Sequence, residues 1–318
     1  MIEFVKQSVP GFACVLTVCA VLAILGAPAV AQDIGTLNPK RLPALAHPED
    51  PKTPAKELFG RKTTPTQGAG HTVGFYAKGC LAGGEALPSK GPTWQVMRPS
   101  RNRNWGHPKM VEFLERLSAK GAKLGWPGLL VGDMSQPRGG PMINGHASHQ
   151  VGLDADVWLT PMPNRELTRQ EREEMMATMI VAPDRKDVDP KVWTPAHFAI
   201  IKAAAQEPEV QRIFVNAAIK KALCREAGTD RAWLSKVRQY WFHDWHFHVR
   251  IKCPADSPDC KPQAPPGDGD GCGKDLDWWF RDAILHPKPA PPPKAPVTPR
   301  YIGMKDLPPA CRQVLEAP

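Results

Sequence analysis

In the segment Trp245-His246-Phe247-His248-Val249-Arg250-Ile251, polar and apolar residues alternate, and the β-branched Val249 and Ile251 favour an extended chain. A strand of that period carries His246, His248 and Arg250 on one face, and two imidazoles on one face can serve one metal ion. A second cluster lies well upstream, in Gly145-His146-Ala147-Ser148-His149-Gln150-Val151-Gly152-Leu153-Asp154-Ala155-Asp156-Val157-Trp158. From Leu153 the period is again two. Leu153, Ala155, Val157 and Leu159 face one way, and Asp154, Asp156 and Trp158 the other. His146 and His149 precede this strand in a loop bounded by Gly145 and Gly152, which can fold an imidazole back over it.

A strand carboxylate, a loop imidazole and an imidazole from a second strand make a three-ligand metal site. Catalytic zinc takes three nitrogen or oxygen ligands from the protein and keeps its fourth position for water. Calcium asks mostly for oxygen, and a structural zinc is closed by a fourth protein ligand. Manganese and cobalt also suit a mixed nitrogen and oxygen set. The chain has no His-Glu-x-x-His helix site, no Gly-x-Ser-x-Gly elbow and no phosphate-cradling P-loop.

Several elements must position these residues. Pro108 opens a helix with Met110, Phe113, Leu114 and Leu117 on one face and Gly121 as its stop. Thr168-Arg169-Gln170-Glu171 is a capping box leading into Met175, Met176 and Met179, a stripe expected to pack in the core. Thr194-Pro195 opens an alanine-rich helix with His197 in its first turn, where a structural or surface role is expected. Asp230 caps a helix carrying Trp233, Leu234 and Val237. Strands are expected at 129–132, 153–159, 212–215 and 246–251. The mixture predicts an α+β fold with a small antiparallel sheet bearing the metal and helices around it.

The two histidine clusters, with Gln136-Pro137-Arg138-Gly139-Gly140-Pro141, Gly79-Cys80-Leu81-Ala82-Gly83-Gly84, Trp94-Gln95-Val96-Met97-Arg98 and Ser100-Arg101-Asn102-Arg103-Asn104-Trp105-Gly106-His107-Pro108, resemble the penicillin-insensitive murein endopeptidases. These are zinc peptidases related to lysostaphin-like enzymes and D-Ala-D-Ala metallopeptidases. The likeness runs from about Gly74 to Cys272 and resumes around Cys311. It implies that His149, Asp156 and His248 ligate Zn2+, with His146 as a further ligand or a neighbour of the metal. It makes His246 the catalytic base and sets His243 near the active site; a polar cap at the strand start is the other reading of His243. Asp154 is expected to orient a histidine or the loop by accepting a hydrogen bond. Arg138 is a candidate for holding a substrate carboxylate or the developing oxyanion, set against a solvated arginine in a Pro/Gly-rich loop.

The implied activity is hydrolysis of D-alanyl–meso-diaminopimelyl cross-links, with links between two diaminopimelates as a second target. No serine acyl-enzyme is needed, hence indifference to penicillin. The alternatives are a D-Ala-D-Ala carboxypeptidase or dipeptidase built on the same site, and a non-catalytic peptidoglycan- or zinc-binding protein. Members of the family can form homodimers.

Lys6, an apolar run from about Gly11 to Leu25 and the small residues before Gln32 read as a secretory signal over residues 1–31, implying export to the periplasm without stable membrane insertion. Cys14 and Cys19 leave with it. Six cysteines remain, and an even number in an exported chain points to disulfides with fifteen possible pairings. The resemblance suggests Cys80–Cys311, Cys224–Cys272 and Cys253–Cys260. Residues 32–70, rich in proline, lysine and polar residues, read as a flexible segment; 71–285 as the metallopeptidase domain; and 286–318 as a proline-rich tail tied back by Cys311. The formal charge of +9 is spread along the chain without an aromatic-interleaved basic motif, which argues against a nucleic-acid partner. It suits residence on the carboxylate-bearing peptidoglycan instead.

Overall fold

A computed structural model of the chain describes residues 34–288 and 301–318. The expected signal and most of the proline-dominated stretch lie outside the described residues. In chain order the elements are α1 (Ala55–Phe59), β1 (His71–Phe75), β2 (Lys78–Ala82), β3 (Glu85–Ala86), β4 (Lys90–Gly91), β5 (Trp94–Val96), β6 (Trp105–Gly106), α2 (Pro108–Lys123), β7 (Leu129–Val131) and β8 (Asp154–Trp158). There follow α3 (Arg169–Glu174), α4 (Pro195–Gln206), β9 (Val210–Val215), α5 (Ala217–Glu226), β10 (Val237–Gln239), β11 (His246–Ile251), α6 (Lys274–Asp277), α7 (Asp282–Leu285) and α8 (Ala310–Glu316).

The fold is α+β. Its main sheet has seven strands in the order β10-β9-β11-β8-β7-β5-β4. The expected antiparallel arrangement holds for β9, β11, β8 and β7, the strands at the centre. The sheet is larger than expected and mixed, because β10 runs parallel to β9 and β5 parallel to β7. Each of these parallel pairs is joined through a helix, α5 in one case and α2 in the other, as parallel connections require.

Both central strands keep the period of two. Leu153, Ala155, Val157 and Leu159, with Phe247, Val249 and Ile251, enter the main core beside Met110, Phe113, Leu114 and Leu117 of α2 and Ile200 and Ile201 of α4. That leaves the carboxylates and imidazoles on the opposite face. In α2, Pro108 takes the first turn and the His107 ring accepts from the Lys109 N–H. The helix runs past the expected stop at Gly121 to Lys123 and is followed by Gly125, whose φ of 100° is left-handed. Gly121 serves packing instead: a Cβ there would lie 3.3 Å from Ile200 and 3.4 Å from Leu129.

The Thr168–Glu171 capping box forms, but α3 ends at Glu174. Arg98 donates to the carbonyls of Arg172 and Met175 at 3.1 and 2.9 Å, taking acceptors that a continuing helix would use. Met175 packs beside Trp158, whereas Met176 and Met179 are exposed, which corrects the expected core stripe. Asp230 does not cap an α-helix; its carboxylate pairs with Lys202 at 2.7 Å, and residues 232–236 form a 3-10 turn. His197 is structural. Its Nδ1 accepts from the Thr194 N–H and its Nε2 donates to the Leu159 carbonyl at 2.9 Å, pinning α4 to the end of β8.

A second, smaller core joins Phe59 of α1, Val73 of β1, and Val314 and Leu315 of α8. The Cys80–Cys311 disulfide ties β2 to α8 beside it. Cys224–Cys272 fastens the end of α5 to the loop at 267–273, in which glycine alternates with other residues, and Cys253–Cys260 closes the turn after β11.

Candidate metal centre

The β8/β11 ladder sets the site. His248 lies opposite Asp156, and Arg250 opposite Asp154. Directly opposed residues of an antiparallel pair point to the same face, so register alone brings two carboxylates, an imidazole and a guanidinium together. The loop before β8 folds back through Gly145 (φ 87°), His149 (φ 64°) and Gly152 (φ 72°). Gly152 is required there, since a Cβ would lie 2.8 Å from the His107 nitrogen.

Asp154 and Asp156 have opposite environments. Asp154 accepts four hydrogen bonds. Its Oδ1 takes them from His248 Nε2 (3.0 Å) and Arg250 Nε (2.7 Å), and its Oδ2 from the His149 backbone (3.1 Å) and Arg250 Nη2 (3.2 Å). Burial pushes its carboxyl up, but Arg250 and His248 hold it far below the usual range. Its lone pairs are committed, and it orients one histidine by the ring and another by the backbone. Asp156 is equally buried, yet its Oδ1 has no hydrogen-bond partner among the described residues. Around that oxygen stand His149 Nε2 at 3.4 Å, His248 Nδ1 at 3.5 Å and His246 Nε2 at 3.6 Å. Against its burial, His246, His149 and His146 hold the Asp156 carboxyl well below the ordinary value.

Hydrogen bonding assigns the ring protons. His149 Nδ1 donates to the Met134 carbonyl at 2.7 Å and His248 Nε2 to Asp154, so in the neutral rings the lone pairs lie on His149 Nε2 and His248 Nδ1. These two bare nitrogens face each other at 3.3 Å. Two lone pairs and a carboxylate oxygen at the corners of a buried triangle with edges of 3.3, 3.4 and 3.5 Å repel one another unless a cation lies between them. Ligands about 2.1 Å from a tetrahedral zinc are about 3.4 Å apart, so the triangle has the right size. The donor set therefore fits a metal. His146 makes a second candidate set with His149 and Asp156, whose ligand atoms lie within 4.8 Å of one another. Its ring bridges Asp133 Oδ2 (Nε2, 3.1 Å) and Asp156 Oδ2 (Nδ1, 3.5 Å). Burial lowers its pKa, but Asp156 and Asp133 prevail and raise it.

His246 is buried beside the triangle with its Nδ1 unpartnered among the described residues. Burial holds it well below its usual value and outweighs the pull of Asp156, so the ring is neutral at pH 7. His243 lies against it, ring centroids 4.7 Å apart, and its Nδ1 bonds the Trp241 carbonyl at 2.7 Å. Burial lowers its pKa too.

Arg138 is not with them, and the expected substrate contact is corrected. Its guanidinium is buried among main-chain oxygens, at 3.0 Å from Thr64 O, 3.1 Å from Val314 O, 3.0 Å from Leu315 O and 3.2 Å from Pro318 O. It ties down the end of α8, where helix carbonyls lack partners and a cation is favoured.

Sequence reasoning missed Asp133, two residues past β7. Its Oδ2 receives Arg103 (2.9 Å), Arg101 (3.1 Å) and His146. An acidic residue directly after an apolar strand, with two arginines in a neighbouring motif, was the available signal.

Residues 72–316 match the family model described as penicillin-insensitive murein endopeptidase. Proteins of that name are similar to this chain in Klebsiella pneumoniae (44% identity over 80% of this chain and 89% of the relative) and Haemophilus influenzae (45%, over 79% and 84%). One from Escherichia coli is 43% identical over 80% of this chain and 89% of its own length. The match spans the strands, the loop and both histidine clusters, and on it the chain belongs to the penicillin-insensitive murein endopeptidase family.

Proposed function

We propose that the chain is an exported, zinc-dependent murein endopeptidase that hydrolyses D-alanyl–meso-diaminopimelyl cross-links of periplasmic peptidoglycan. The observation that carries this reading is the unpartnered Asp156 Oδ1 facing the bare nitrogens of His149 and His248, with two neutral imidazoles beside it. His149, Asp156 and His248 would hold the zinc, and a zinc ion there supplies carbonyl polarisation and a lowered pKa for water.

The chain's own groups do the rest. His246, kept neutral by burial, takes the proton from the attacking water and delivers one to the leaving amine. His243 has its Nδ1 committed to Trp241, so Nε2 is left to accept a hydrogen bond from the reacting groups. Asp154 fixes the tautomer of His248 and holds the His149 loop. None of these roles uses a serine nucleophile, which accords with indifference to β-lactams. Among the described residues no helix is long and apolar enough to cross a membrane.

The test is digestion of purified cross-linked muropeptide dimers, read by mass spectrometry, with chelator-treated and His246→Ala samples alongside. Conversion of dimers to monomers that needs metal and His246 and continues in penicillin is expected. Dimers losing only a terminal D-alanine would replace this reading with a carboxypeptidase. Unchanged dimers with metal-loaded protein would replace it with a binding protein.

A further inference from the structure

We infer that Asn216 is a positioning residue, which holds the Phe242–His243 turn in the conformation that lays the His243 ring against His246. The inference rests on the role given to His243 above and extends it to a residue outside the histidine cluster.

Phe242 (φ 62°) and His243 (φ 56°) are consecutive non-glycine residues in the left-handed region, and no other such pair occurs among the described residues. Side chains with a Cβ rarely adopt this conformation, so two in succession must be held by their surroundings. Packing does not hold Phe242, which is 60% exposed. Asn216 does, and it is 6% exposed. Its backbone N–H donates to the His243 carbonyl at 3.2 Å, and its Nδ2 to the Phe242 carbonyl at 3.0 Å and to Asp244 Oδ1 at 2.5 Å. Its Oδ1 accepts from the Ala218 N–H at 2.9 Å and caps α5, so the amide has only one orientation that satisfies every partner. One residue thereby fixes the turn to the start of a helix packed on the main core. Neighbouring bonds, Tyr240 N–H to the Val215 carbonyl and Ile180 N–H to the Asp244 carbonyl, both 2.9 Å, secure the flanks but not the turn itself.

Asn216 thus has two separable duties, capping α5 and clamping the turn. Serine caps a helix about as well as asparagine, but it is too short to reach the Phe242 carbonyl. Asn216→Ser therefore removes the side-chain bonds of the clamp, leaves the backbone N–H on the His243 carbonyl and keeps the cap. Asn216→Asp also keeps the cap and sets a carboxylate oxygen against the Phe242 carbonyl and Asp244.

The experiment compares wild type, Asn216→Ser, His243→Ala and the double variant as full mature, metal-loaded proteins. It measures kcat and KM on muropeptide dimers, bound metal, thermal midpoint and the ring 15N resonances of His243. Small displacements of catalytic groups carry large rate penalties, so Asn216→Ser is expected to lose about tenfold or more in kcat, with KM and metal content unchanged. Its His243 ring signals should move while those of His149 and His248 stay in place, and the double variant should be no slower than His243→Ala. If Asn216→Ser proves unstable, Asn216→Asp replaces it with the same expectation.

Activity of the clamp variant within twofold of wild type, where His243→Ala is impaired, overturns the inference alone. So does a double variant whose losses multiply, since Asn216 would then act elsewhere. If His243→Ala is itself fully active, the role of His243 fails and the inference falls with it.

Discussion

Asp156, His248 and Asp154 stand on paired strands at the centre of the main sheet, whereas His146, His149 and His243 stand on loops. The strand residues owe their meeting to ladder register, and their backbones lie over a continuous apolar core. The loop residues owe theirs to individual side-chain bonds: Asp154 to the His149 N–H, Asp133 to the His146 ring and Asn216 Nδ2 to the Phe242 carbonyl beside His243. His149 and His243 also sit at positive φ. A rigid ladder thus supplies the carboxylates and two imidazoles, His246 and His248, and pinned loops complete the constellation from above. Functional groups on sheet strands hold their geometry through many bonds, so removing one of a loop's few pins should cost function before it costs the fold.

The comparison breaks most completely at Asp156. Asp156→Ala deletes the hub of the triangle and leaves two bare imidazole nitrogens with no carboxylate. Metal binding and muropeptide cleavage should both be lost, by a factor of about 1,000 or more in rate, with the far-UV circular dichroism unchanged. Equilibrium dialysis with zinc alongside the digestion assay reads both; retained stoichiometric metal would show that Asp156 is not its anchor.

Asp154→Asn should come next. The amide cannot accept from all four donors, so one NH2 group must face His248, Arg250 or the His149 N–H, and the buried Arg250 loses its counter-charge. Breaking a buried pair from one side costs about 3–5 kcal/mol, and disturbing a partner that orients a ligand costs about 10–100-fold in metal affinity. Denaturant unfolding and chelator competition measure these separately. His146→Ala, on the loop side, should retain one tightly held metal ion, because its ring is held by Asp133 and faces the other oxygen of Asp156. Loss of that ion would move the centre to the His146, His149 and Asp156 set.

Much of the strand half was legible from residue order. The alternation at 153–159 and 246–251 places one face under core and the other over the site, whatever the strand order is. The loop half and its supports were less so, because their partners are distant. The stop of α3 depends on Arg98, far up the chain from Met175. Asn216 reads locally as a helix cap, and nothing near it announces the turn at 242–243. Asp133 is a single residue without a period, and Arg138 finds most of its acceptors where α8 returns to it and one more at Thr64. The cystine Cys80–Cys311 brings that end back, across a separation of 231 residues that local pattern cannot span.

A smaller effect concerns pH. Burial lowers His248 to about 4, against an ordinary 6.5, and also lowers His246, His243, His107 and His197. Between pH 6.5 and 4 the unfolded chain binds protons that these folded imidazoles refuse, so acidification favours unfolding. His146, raised by its carboxylates, acts oppositely, but it is one against five. The thermal midpoint of metal-free protein should therefore fall steadily as pH drops through this window. A midpoint that holds level from pH 7 to 4.5 would mean that the histidines are not buried neutral. Bound metal, which also needs His248 neutral, should steepen the fall.

Arg138→Ala tests the other side of the comparison, a loop residue that carries structure and no chemistry. Its guanidinium satisfies carbonyls at the end of α8, next to the disulfide that holds the same helix. Charged hydrogen bonds of this kind are worth about 2–3 kcal/mol together once water replaces part of them, which for a chain of this size is a fall of roughly 3–5 °C in Tm. Because the disulfide keeps α8 attached, kcat and KM on muropeptide dimers should match wild type well below the new midpoint. A raised KM with unchanged Tm would reverse the assignment and return Arg138 to the substrate. Reducing Cys80–Cys311 in the variant should release α8 more readily than reducing it in wild type, since the arginine and the cystine secure the same helix by independent means.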